Sequence, residues 1–190
     1  IFGYGYVSAV SSLTNLVSNS GVVATDTTGV GTARSGLAAA GYGVGLAIFG
    51  YGEGGGVQSM TNLVSNVGVV SADVTGVGQI RVYLEAAEYG GDKAIFAYGS
   101  NGGSTYYNVS NLVSNVGVVA TDVSGVGTAR QNLGGVTYGG DKAIFAFGVN
   151  AGYVSMSNLV NNSGVVASDV TGVGTARNIY NGAAGYSISA

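Results

Sequence analysis

Two phrases recur four times along this chain at nearly constant spacing, and this repetition constrains the fold more than any single residue does. GVGTAR or its equivalent ends at Arg34, Arg81, Arg130 and Arg177. IFGYG or its equivalent opens at Ile1, Ile48, Ile95 and Ile144, with spacings of 47, 47 and 49 residues. The repeat phase also runs on from Ala190 to Ile1, because Ala190 stands where Ala47, Ala94 and Ala143 stand. A period of this length is the mark of a repeat architecture, in which each unit buries its apolar face only against its neighbours. The phase predicts one domain over residues 1–190, with repeats at about 1–46, 47–93, 94–142 and 143–190. None of the four reads as a polar cap, which favours a closed ring over an open solenoid.

Within a repeat the pattern is that of short strands. In the second, Ala47–Tyr51 is an apolar run ended by glycine, and Glu53–Val57 is a Gly-rich loop. Ser59–Asn66 and Val69–Asp73 read as strands separated by the turn Asn66-x-Gly68. Thr75–Gly78 is a crossing, Arg81–Tyr89 a fourth strand, and Gly90–Lys93 a hairpin turn. Four antiparallel strands per unit of about 47 residues match one blade of a β-propeller. The fold class predicted is therefore all-β, a four-bladed β-propeller. Small residues such as Ala38, Ala39, Ala40 and Gly41 suit inner strands crowded at an axis. The terminal stretch Gly182–Ser189 is placed to complete the first blade, so that N- and C-terminal strands share it and no edge is left open.

Composition narrows the function. The chain holds 36 Gly and no Pro, Cys, His or Trp, and 8% of it is charged, with a formal net charge of −3. Without Cys there is no disulfide or thiol chemistry, and without His the commonest general base and transition-metal ligand is missing. No basic patch exists to neutralise phosphates, which argues against nucleic acid and anionic membrane as partners. No apolar run is long enough for a transmembrane helix.

The repeat wording resembles kelch-type blades. The residues carrying the likeness are Arg34, the small-residue strand LAAAGYG, and Ala47–Gly50 with Tyr51–Gly52, and the pattern recurs at Arg81 and Arg130. The kelch Trp is absent, and GYG or AYG replaces the Gly-Gly doublet. The resemblance implies a propeller whose arginines brace the blades. The phrases IFGYG, TNLVSN, GVVATD and TGVGTAR are also similar to repeats in bacteriophage structural proteins and marine viral sequences, which implies a virion or appendage component.

Each chemically capable group has a structural reading beside the functional one. Arg34, Arg81, Arg130 and Arg177 could form an anion-binding ring. The favoured reading is that each guanidinium bridges backbone carbonyls between neighbouring blades through its five donors. Asp26, Asp73, Asp122 and Asp169 provide one carboxylate per repeat, well short of a calcium ligand set, so turn capping or pairing with Arg is favoured and no metal or other cofactor is predicted. Asp92 and Asp141 read as turn formers. Glu85 and Glu88 break the small-residue pattern, at positions equated with Ala40 and Gly43. A carboxylate pair could hydrolyse a glycoside, but three residues apart on a strand they face opposite sides, one toward the axial channel and one toward solvent.

The most individual segments are the loops Gly5–Ser11, Glu53–Gln58, Ser100–Asn108 and Val149–Val154. Their Glu53, Asn101, Tyr106, Tyr107, Asn150 and Tyr153 are the candidate binding residues, since Tyr buries a large area at low entropic cost. The function expected is a non-enzymatic structural or binding propeller, a decoration, fibre or adhesion component of a virion or extracellular surface. Its partners would be other subunits in an oligomeric assembly. The alternative is a lectin-like module binding surface glycans.

Overall fold

The computed structural model describes residues 1–180 and 182–185. The fold is all-β, and no helix occurs among the described residues. The strands are β1 (Phe2–Tyr6), β2 (Val10–Asn15), β3 (Ala38–Tyr42), β4 (Leu46–Gly50), β5 (Thr61–Val64), β6 (Glu85–Tyr89) and β7 (Lys93–Ala97). They continue with β8 (Ser110–Val113), β9 (Gly134–Tyr138), β10 (Lys142–Ala146), β11 (Val149–Asn150), β12 (Gly152–Tyr153) and β13 (Ser157–Val160). These pair antiparallel into small sheets, one per repeat: β1-β2, β3-β4-β5, β6-β7-β8 and β9-β10-β13, with β11-β12 a separate hairpin.

Inside a sheet each strand is short because glycine-bearing turns end it. The β6-β7 hairpin turns at Gly90 and Gly91, both at positive φ, where a side chain would be strained. The central strands β4, β7 and β10 carry the apolar alternation. Ile48, Ile95, Phe49, Phe96 and Phe145 are buried, and the core lies between successive sheets. The small-residue strands β3, β6 and β9 lie side by side along an open cavity of about 460 Å³. Ala39, Ala40, Ala86, Ala87 and Gly135 line it.

Two details differ from the sequence reading. The stretch Val69–Asp73 is not a continuous strand. It touches β5 through two bridges, Val64 with Val70 and Thr61 with Val74, and the register slips by one residue between them. The same slip occurs in all four repeats. Its cause is an asparagine: Asn62 Nδ2 donates to Ser71 O at 3.1 Å and to Asp73 Oδ1 at 2.9 Å, and so occupies the place of a ladder bond. The register also moves the two glutamates. Glu85 lies opposite Ala97 as Ala38 lies opposite Gly50, so their equivalents are Ala38 and Gly41, not Ala40 and Gly43.

The first sheet has two strands where the other three repeats have three. The segment expected to complete it, Gly182–Ser189, falls partly outside the described residues. Gly182–Gly185 is described and forms no strand.

Candidate functional site

The polar side chains of the repeats converge on the seams between successive sheets, and the three internal seams are built alike. At each an aromatic residue of the preceding sheet is held at positive φ, Tyr4 (63°), Tyr51 (67°) and Tyr98 (65°), and Phe147 (63°) repeats the conformation in the last sheet. Such a conformation in a bulky residue is strained and persists only where its surroundings fix it. Here it lays the ring beneath an arginine and beside the next sheet. Arg34, Arg81 and Arg130 sit over Tyr4, Tyr51 and Tyr98 at 4.9, 4.4 and 4.1 Å from the ring centroids. The same rings meet Phe49, Phe96 and Phe145 of the following sheet edge-on, with centroids 5.2, 5.1 and 5.8 Å apart. Gly52, which follows Tyr51, must be glycine, because a Cβ there would meet Ser35 O at 2.8 Å and Leu37 Cβ at 2.9 Å.

Arg34, Arg81 and Arg130 are fully buried. Arg81 donates to Tyr98 O and Val109 O and to Asn111 Oδ1, and Arg130 to Phe147 O, Thr128 O and Phe145 O. Arg34 donates to Asn62 Oδ1 at 2.5 Å. These guanidiniums are enclosed at separate seams, so the anion-ring reading has no support in the geometry. Burial lowers the affinity of Arg81 and Arg130 for their protons, and it pushes Tyr98 up to about 12 against the pull of Arg130.

The recurring aspartates reach back across the same seams. Asp73 accepts from Thr32 N at 3.1 and 3.0 Å and from Thr32 Oγ1 at 2.7 Å, Asp122 from Gln79 N, and Asp169 from Thr128 N and Oγ1. Burial alone would raise Asp73, but hydrogen bonds from Asn62 and Thr32, with Arg34 nearby, hold its carboxyl below the ordinary value. Asp169 is lowered in the same way by Thr128 and Asn158. A backbone belt adds to this: Tyr83 N donates to Gly36 O, Asn132 N to Tyr83 O and Ile179 N to Asn132 O. At the hairpin end Gly43 N donates to Asp92 O and Gly90 N to Asp141 O, so these aspartates also bridge sheets. Sequence reasoning missed the asparagines Asn62, Asn111 and Asn158, although their recurrence in TNLV, SNLV and SNLV was visible.

The variable loops gather at one end of the strands β3, β6 and β9. Glu53 bridges Ser35, Ser100 bridges Val82, and Val149 bridges Gln131. Glu53 and Asn101 are exposed, as is Tyr153 in the β11-β12 hairpin, whereas Tyr106, Tyr107 and Asn150 are half-buried. Asn101 Oδ1 accepts from Gly103 N and Thr105 N and braces its own loop, and Tyr107 Oη accepts from Gln79 Nε2. The structure does not draw the six candidates into one pocket. It forms instead a groove of about 550 Å³ between Tyr6 and Tyr83, with Ser35, Gly36, Glu53 and Gly54 along it. Of the candidates only Glu53 lines it.

Glu85 and Glu88 face opposite ways on β6. Glu88 is exposed and lines the open cavity beside β3, β6 and β9. Glu85 does not meet solvent: it is buried against Gly135, and desolvation pushes its carboxyl up to about 8 in spite of a hydrogen bond from Ala86 N. Among the described residues no group of three or more His, Cys, Asp or Glu could hold a metal.

No protein-family model matches the chain, and no curated protein matches it. It is similar to a solved structure described as "Structure of YjhT", with a TM-score of 0.61 and 14% identity, over 83% of this chain and 51% of that one. The chain therefore spans about half the length of that structure, and the likeness is one of fold.

Proposed function

We propose that the chain is a kelch-like β-propeller module of four blades that acts without catalysis, as a structural and binding component of a virion or surface appendage. The observation that carries this reading is the division of labour among its polar groups. Buried arginines and the seam aspartates hold sheet to sheet, while loops of differing sequence stand together at one end. Such a scaffold holds a contact surface rigid at little entropic cost on binding. The partners are other subunits of the assembly, and the location is a particle or extracellular surface. Immunogold labelling of native particles with antibody to the loop end tests this. The expected result is regular decoration of the particle surface, and label confined to the soluble fraction would contradict it.

A second reading, binding of surface glycans, is favoured by one observation, the groove with Tyr6 and Tyr83 exposed beside Glu53. Aromatic faces beside a hydrogen-bonding acid suit a sugar ring. A glycan array would show weak signals lost in Tyr83→Ala, and an empty array would remove this reading.

A further inference from the structure

The belt residues at the loop end differ in size from repeat to repeat, and the difference opens the groove at Tyr6 and Tyr83. Gly36, Tyr83 and Asn132 follow one another along the belt, all at positive φ (60°, 57° and 52°). Of these, Gly36 alone has no side chain. A Cβ there would meet Val82 Cγ2 at 2.6 Å and Tyr83 Cδ1 at 3.1 Å, so the Tyr83 ring lies against bare backbone. Tyr6, Ser35 and Glu53 share the lining, and Tyr6 is 70% exposed.

The polar groups here are unmatched, unlike those at the equivalent place one repeat on. There Ser100, which bridges Val82 as Glu53 bridges Ser35, donates through Oγ to Gln131 Oε1. One repeat earlier the place of Gln131 is held by Val82, whose side chain has no polar atom to offer Glu53. Among the described residues no hydrogen bond uses the Glu53 carboxylate or the hydroxyls of Tyr6 and Tyr83. These groups are free for a ligand.

Charge decides which ligand. Of the residues along the groove Glu53 alone is charged. Arg34, next to Ser35 in sequence, is fully buried at the seam, where it donates to Asn62 Oδ1 and pairs with Asp73 at 3.4 Å. The chain's net charge of −3 has the same sign as Glu53. A carboxylate repels an acidic ligand and draws an ammonium group, and tyrosine faces attract a cation placed over them. The cavity of about 550 Å³ is in the range of small-ligand sites and broader than one unbranched side chain needs. We infer that the groove takes a sugar with a free amino group, its ring on the tyrosines and its ammonium at Glu53. This rests on the glycan reading and narrows it: neutral sugars bind more weakly, and acidic sugars are refused.

NMR titration with methyl glycosides tests this below neutral pH, where the amine is protonated. Methyl glucosaminide and methyl glucoside differ only by an ammonium in place of a hydroxyl. The expected result is about tenfold tighter binding of the glucosaminide, a preference that fades as the amine deprotonates at alkaline pH. Glu53→Gln should cost the glucosaminide about threefold and leave the glucoside unchanged. Tyr6→Ala, at an exposed position, should weaken both. Equal binding of the two glycosides, or tighter binding of methyl glucuronide, would overturn the inference and leave the glycan reading standing. Binding of Nα-acetyl-lysine amide as tight as that of the glucosaminide would also overturn it and assign the groove to a lysine of a protein partner. Absence of binding by every sugar would overturn the inference and the glycan reading together.

Discussion

Arg81 and Arg177 hold the same place in two repeats of nearly the same wording, yet Arg81 is fully buried and Arg177 is exposed. Each lies over an aromatic ring at positive φ, and each is followed by a turn toward the inner strand. The difference comes from the next sheet. Arg81 finds Asn111, Tyr98 O and Val109 O there, while Arg177 donates to Thr175 O in its own turn. The repeat therefore encodes half of an interface, and its neighbour makes that half structural. An arginine that loses water without such partners would be strongly destabilising.

The comparison can be broken most directly at the arginines. Arg81→Met should destabilise the chain by about 3–5 kcal/mol, because it strands Asn111 and two buried carbonyls, whereas Arg177→Met should cost about 0.5 kcal/mol or less. Urea titration of both variants measures this, and equal losses would break the account. The aromatic pair follows. Phe96→Ala should cost about 3–4 kcal/mol by opening a cavity beneath Tyr51, while Phe2→Ala in the monomer should be nearly neutral.

Glu85 sharpens the contrast by its pH dependence. Its folded value is raised to about 8, so the folded state holds a proton that the unfolded state releases from its ordinary value upward. Stability should therefore fall as pH rises from about 4.5 to about 8 and then level off. Glu85→Gln should remove that fall and stabilise the chain at alkaline pH by roughly 3 kcal/mol. The aspartates act at the other end of the scale. Asp73 and Asp169 have lowered values, so the stability they lend is present above the ordinary carboxylate range and is lost as pH falls through their folded values. Asp73→Asn should remove about 1 kcal/mol of that acid-side loss. Thermal melts between acid and neutral pH would show it.

The strand class and the small-residue lining of the cavity were legible because they depend on local spacing. Gly-ended runs and the Ala39–Ala40 type of stretch need no knowledge of partners. The outer segment Val69–Asp73 was misread because its valines carry strand propensity, while the bond that breaks the ladder comes from Asn62, across the sheet. The register of Glu85 was shifted because the hairpin, not composition, sets which small residue it replaces. The groove at Tyr6 and Tyr83 escaped notice because it joins the loop of one repeat to the residue two past the arginine of the next. Seam partners lie about forty residues apart in sequence, as Thr32 and Asp73 do, so recurrence marks them as important without pairing them.

A crystal structure of the purified chain tests the central claim, that buried polar seams between successive sheets define this molecule. The account predicts Asp73 joined to Thr32 and Asp169 to Thr128, with Arg81 enclosed by Asn111 and the carbonyls of Tyr98 and Val109. Sheets parted at those contacts, with Arg81 open to solvent, would contradict it.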